Sequence, residues 1–140
     1  MPHEGMVDAL RRALHLLRPD GVLIDLHPTP DTPQLDVVAR DGAAERVGPL
    51  QSEAAAERHR NADGALATAV AERLFTIERA SVFRFRRYCN AVDELADHVN
   101  RKWTTRFDDE LAAKARRALR PGRRLCLWED VAITALRPSR

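Results

Sequence analysis

"RPDGVLIDLHP", residues 18 to 28, constrains this chain more than any other stretch. Pro19 has no N–H and its ring clashes with a preceding helical turn, so it stops the amphipathic helix predicted over Met6 to Leu17. Gly21 can take a positive φ and turns the chain into Val22, Leu23, Ile24 and Leu26. Only Asp25 interrupts that run, the pattern of a strand covered on both faces, as parallel strands are. Pro28, Pro30 and Pro33 then stiffen the loop "HPTPDTP" and delay any helix until they are passed.

Downstream, residues 34–50 predict a β-hairpin, "QLDVVAR" and "AAERVGPL" joined by Asp41-Gly42. Residues 52–74 follow a 3.6-residue period, with a break expected between Asn61 and Gly64. In "FTIERASVFRFRRYC", Phe83 and Phe85 alternate with Arg84 and Arg86, which predicts a strand with one buried and one polar face. Residues 90–121 read as a helical insertion. Asn90 is its expected N-cap, Val92, Leu95, Ala96 and Val99 form an apolar stripe, and Asp108 to Glu110 open a second helix where negative charge suits the dipole. The closing "RRLCLWEDVAITALRP" is a long strand with a bulge or bend expected at Glu129-Asp130. These elements predict one domain over residues 1–140, of α/β or α+β class, with a mixed sheet of about five strands and helices packed on it. The late "LRPGRRLCLWED" shares helix-stop chemistry with the opening stretch, but its flanks do not match and no internal repeat is expected.

Composition narrows the chemistry. A chain of 140 residues can bury a core without metals or disulfides. Cys89 and Cys126 form no C-x-x-C pair and are read as reduced core thiols. The helical histidines His59 and His98 lack a metal-site spacing, and no G-x-S-x-G is present. No leader-like segment opens the chain and no run reaches the roughly 18 apolar residues of a membrane span, so a soluble, cytoplasmic protein without membrane contact is expected. The net charge of +2 hides an asymmetry: residues 1–78 carry 8 Lys+Arg against 13 Asp+Glu, and residues 79–140 carry 15 against 8. The arginines of the second half are dispersed, which fits pairing with the acidic half better than nucleic-acid binding.

"VDALRRALHLLRPDGVLIDLHP" resembles the helix, "LRPGG" turn and fifth strand of class I S-adenosylmethionine-dependent methyltransferases, with Asp20 where the first glycine of that turn usually stands. "ERASVFRFRRYCN", "AVDELADHV" and "RRLCLWEDVAITALRP" look like the sixth strand, a substrate-side helical insertion and the closing seventh strand of that Rossmann-like fold. The resemblance covers most of this chain but only the second half of the family's fold. The family's glycine-rich turn, which lets the backbone approach the cofactor closely, has no counterpart, since no G-x-G-x-G occurs here. The resemblance therefore implies a methyltransferase-like C-terminal half: a fragment, a degenerate relative or one chain of a split enzyme. Such a half binds no S-adenosylmethionine alone and would hold it only with a partner. It also implies an open hydrophobic edge at Val22 to Leu26, to be covered by the "QLDVVAR" hairpin or by a second chain, either a homodimer mate or the N-terminal half.

Six residues stand out as site candidates. His27 ends the apolar strand at its carboxyl end, where open α/β sheets place ligands, and its imidazole could serve as a base near neutral pH. Asp25, inside an apolar run, needs a partner, for which Arg84 or Arg86 is expected. Tyr88 and Trp103 could line a small-molecule substrate pocket or form half-buried core. The alternative to a methyltransferase half is a noncatalytic α+β module whose sheet docks a partner or a small apolar ligand.

Overall fold

The structure, a computed structural model, describes residues 2–139. Their order is α1 (His3–Leu16), β1 (Leu23–Pro28), β2 (Gln34–Ala39), β3 (Ala44–Pro49), α2 (Glu53–Ala71), β4 (Phe75–Cys89), α3 (Val92–Lys102), α4 (Asp109–Ala118) and β5 (Arg123–Pro138). Four helices accompany an open, antiparallel five-stranded sheet, an α+β arrangement. β5 is its organising strand: β1 pairs with Val131 to Leu136, β2 with Arg123 to Trp128, and β4 also pairs with β5. β5 runs as one strand through Glu129-Asp130, and the β2–β3 pair carries a register shift between Leu35 and Asp36. The chain divides into two compact units, and β4 and β5 each run through both.

The first unit comprises residues 2–30, 57–83 and 131–139. Pro19 and Gly21 do end the first helix, but Gly21 works by close approach. A Cβ there would stand 3.0 Å from the Arg18 carbonyl oxygen, which accepts the Gly21 N–H. Direct neighbours in an antiparallel pair share a face. Leu23 opposite Leu136 and Asp25 opposite Thr134 therefore lie on one side, where Leu10 and Leu14 of α1 and Leu66 and Ala69 of α2 close over Leu136 and Phe75. Ile24 and Leu26 point the other way and are 55% and 57% exposed. The expected double covering of this strand is thus corrected: its neighbour is antiparallel and only one face is packed.

α2 runs unbroken through Asn61 to Gly64, where a break was expected. Gly64 instead makes room for α1, since a Cβ there would meet the His3 ring at 3.3 Å, and His3 Nε2 lies 3.1 Å from Thr68 Oγ1. Arg73 ends the helix in the left-handed region at φ +57°, with Leu74 N–H donating to Ala69 O.

The second unit comprises residues 31–56 and 84–130. Asp41-Gly42 turns the β2–β3 hairpin, with Gly42 at φ +88° and Asp41 Oδ1 accepting from Ala43 N–H. Leu35 opposite Leu127 and Val37 opposite Leu125 form a fully buried layer under Leu95 and Val99 of α3 and Leu111 and Ala115 of α4. The hairpin joins the sheet through the pairing of β2 with β5. Its two inward apolar residues match the apolar pair of β5, and register follows the face that must be buried. Asp108 caps α4 by accepting from Leu111 N–H. α3 is preceded by Ala91, with no side-chain cap, so the expected capping by Asn90 is also corrected.

β4 departs most from expectation. Every residue from Thr76 to Tyr88 is exposed, Phe83 and Phe85 included, so the predicted buried face of this strand is absent.

Candidate functional site

In the first unit, β1 presents Asp25 and His27 two residues apart, on one face, and α2 brings Asp63 to meet them. His27 Nδ1 donates to Asp25 Oδ2 at 2.6 Å and Nε2 donates to Asp63 Oδ1 at 2.8 Å, with the histidine side chain 11% exposed. Both ring nitrogens face carboxylate oxygens, so both must carry protons. The hydrogen bond to Asp25, reinforced by Asp63 and opposed by burial, raises the His27 pKa to about 9. In the imidazolium form that this geometry favours, neither ring nitrogen keeps a lone pair. Burial, then the nearby His27 and Arg58 charges, push His59 below its ordinary value. Beside Asp25 lies a mainly apolar hollow of about 310 Å³ bordered by Leu10, Ala13, Leu23 and Leu66.

Asp25 therefore has His27 for its partner, and neither Arg84 nor Arg86. Arg84 belongs to a separate cluster in the second unit. Its Nε and Nη2 donate to Asp130 at 2.9 and 3.2 Å, and its guanidinium lies 3.7 Å from the centre of the Trp128 ring. That ion pair holds the Asp130 carboxyl below its usual range. Trp128 Nε1 donates to Asp36 Oδ2 at 2.8 Å, while Asp36 Oδ1 accepts from Arg46 Nε at 2.5 Å. Arg86, two residues along β4, is exposed.

Tyr88, near the end of β4, lies under the Arg124 guanidinium, 3.9 Å from ring centre to Cζ. It borders a hollow of about 640 Å³ together with Asn90, Arg40, Arg123 and Arg124. Trp103 is elsewhere, half-buried at the end of α3 against the helix-covered core, so the structure does not bring it to Tyr88. Cys126 is a buried free thiol whose pKa burial raises, which keeps it in the unreactive form.

Asp63, Trp128, Asp36 and Arg124 were not singled out from sequence. Asp63 stands four residues after His59 and so on the same helix face, and Arg124 and Trp128 alternate with the buried Leu125 and Leu127. Those periodicities were the available signals. Among the described residues, no group of three His, Cys, Asp or Glu side chains is set to hold a metal ion, and no helix is long and apolar enough to cross a membrane. No family model, curated protein or solved structure matches this chain.

Proposed function

We propose that this chain is a noncatalytic interaction module that docks a second copy of itself edge to edge through β4. One observation carries the proposal: β4 is fifteen residues long, exposed from Thr76 to Tyr88, and among the described residues pairs with β5 alone. A long edge strand with unpaired backbone groups is a template for another strand, and folded proteins cover or blunt such edges. Ile77, Val82, Phe83 and Phe85 add apolar surface, with Val82 60% exposed.

The sequence of this edge favours the same chain as occupant. In an antiparallel pair centred on Val82, Glu78 of each copy lies opposite Arg86 of the other, Arg79 opposite Phe85, and Thr76 opposite Tyr88. Opposite charges and cation–aromatic pairs directly across strands are stabilising, and a two-fold axis presents each twice.

Sedimentation velocity over a concentration series tests this. A species of about twice 15.8 kDa is expected. Glu78→Arg, which sets like charges opposite one another, should give monomer, and the double exchange Glu78→Arg with Arg86→Glu should restore the dimer. A monomer at all concentrations, or a dimer indifferent to Glu78→Arg in a variant with native circular dichroism, overturns the proposal.

A methyltransferase-like half-domain needing a partner chain for S-adenosylmethionine is the second reading. It is favoured by α1, the Gly21 turn and β1 following one another as the resemblance implies, with the closing strand β5 beside β1. Calorimetric titration of the chain with S-adenosylmethionine and S-adenosylhomocysteine decides it. Micromolar binding supports this reading and absence of heat leaves the interaction module.

A further inference from the structure

We infer that the basic hollow of the second unit is a binding site for an organic phosphomonoester. The β2–β5 register sets Ala39 opposite Arg123 and Val38 opposite Arg124, so the last residues of β2 and the first of β5 hold two arginines in regular sheet. Arg40 follows directly on β2, and Tyr88 and Asn90 come from the end of β4. Arg124 on β5 and Arg40 in the turn after β2 thus border the hollow, and no Asp or Glu is among the described residues bordering it.

Charge and donor geometry select the ligand. Arg123, next to Arg124 along β5, points to the opposite face of the strand, where its Nη1 donates to Glu45 Oε2 at 2.9 Å. Arg40 and Arg124 leave the hollow two positive charges, which matches the charge of roughly −1.5 to −2 on a phosphomonoester at pH 7. Arg124 is held by its face against the Tyr88 ring at 3.9 Å. Stacking uses the flat face of a guanidinium and leaves its N–H fork, which lies in the plane, for bidentate contact with phosphate oxygens. Because the planar group is already oriented by the ring, less side-chain freedom is lost on binding.

Size and apolar wall select an organic body. At about 640 Å³ the hollow lies in the range of small-molecule sites, well above the needs of inorganic phosphate alone. Val38 and the Tyr88 ring supply apolar surface next to the arginines, which an aliphatic or aromatic group esterified to the phosphate would cover.

Calorimetry of the 140-residue chain with phenyl phosphate, inorganic phosphate and phenol, at about 50 mM salt, tests the assignment. Phenyl phosphate should bind at least about tenfold more tightly than inorganic phosphate, and phenol should give no heat. Arg124→Ala and Arg40→Ala should each weaken phenyl phosphate about tenfold or more. Arg116→Ala, on α4 and ion-paired with Asp93, should leave it unchanged. Amide shifts in a proton–nitrogen spectrum should centre on Gly42 and Gly122, the two turn glycines bordering the hollow. Absence of binding, equal loss in Arg116→Ala, or shifts spread over the other arginines would overturn the site. Equal affinity for inorganic and phenyl phosphate would overturn the organic body.

Discussion

His27 of β1 donates from Nε2 to Asp63 of α2 at 2.8 Å, so a strand and a helix of the first unit are joined through a protonated imidazole. The sign of its effect on stability follows from the raised pKa. Folding favours the protonated form, so the contribution is fully present below the unfolded value of 6.5 and is lost as pH climbs through about 9. Urea midpoints between pH 6 and 10 should fall in the native protein, and His27→Gln should flatten that slope while lowering the midpoint at pH 6. A native slope unchanged by His27→Gln would contradict the assignment. His59, whose pKa is lowered, acts with the opposite sign, and its contribution weakens as pH drops below 6.5.

Asp36 holds the indole N–H of Trp128 and the Nε of Arg46 with its two oxygens. Its replacement by alanine leaves a half-buried indole donor without its acceptor. Loss of a partner for such a donor costs about 1–3 kcal/mol. Asp36→Ala should therefore lower the urea midpoint by that amount and shift the tryptophan emission, while Asp41→Ala, at the hairpin turn, should leave the emission unchanged. Identical emission in Asp36→Ala would show that the carboxylate does not fix the ring.

Leu127 and Leu26 were both legible as strand residues, but the structure gives them different weights. Leu127 is fully buried against Leu35 and the helices of the second unit, whereas Leu26 faces outward. Leu127→Ala should cost about 2–5 kcal/mol. Leu26→Ala should stay within about 0.5 kcal/mol, as exposed positions do. A large loss at Leu26 in chemical denaturation would show that its face is covered in solution.

Much of the architecture could be read from local chemistry. Pro19 stops a helix, Asp41-Gly42 turns a hairpin and Asp108 caps a helix wherever they occur, because each acts on its own backbone neighbours. Pairing is another matter. The apolar run at Leu23 to Leu26 looks alike whether its neighbour is parallel or antiparallel, and only the register with β5 shows that Ile24 and Leu26 belong to the uncovered face. The alternation of Phe83 and Phe85 with arginine identified a strand, yet alternation cannot say whether anything packs on either side. Site residues divide the same way. Asp25 and His27 are two apart on one strand and their contact was within reach of the sequence, whereas Asp63, 36 residues beyond His27, depends on how α2 returns to β1.

Thr105, between α3 and α4, is buried, and its hydroxyl oxygen has no hydrogen-bond partner among the described residues. A buried hydroxyl without a partner forfeits its hydration and gains nothing in return, at about 1–3 kcal/mol. Valine has nearly the same shape and replaces the hydroxyl by a methyl group. Thr105→Val should therefore raise the urea midpoint, by about 1 kcal/mol in unfolding free energy, against the usual direction of substitutions in packed interiors. Thr105→Ser, which keeps the hydroxyl and removes the methyl, should lower it. If Thr105→Val destabilises while Thr105→Ser does not, the hydroxyl is hydrogen-bonded in solution and the position contributes through that bond rather than through packing.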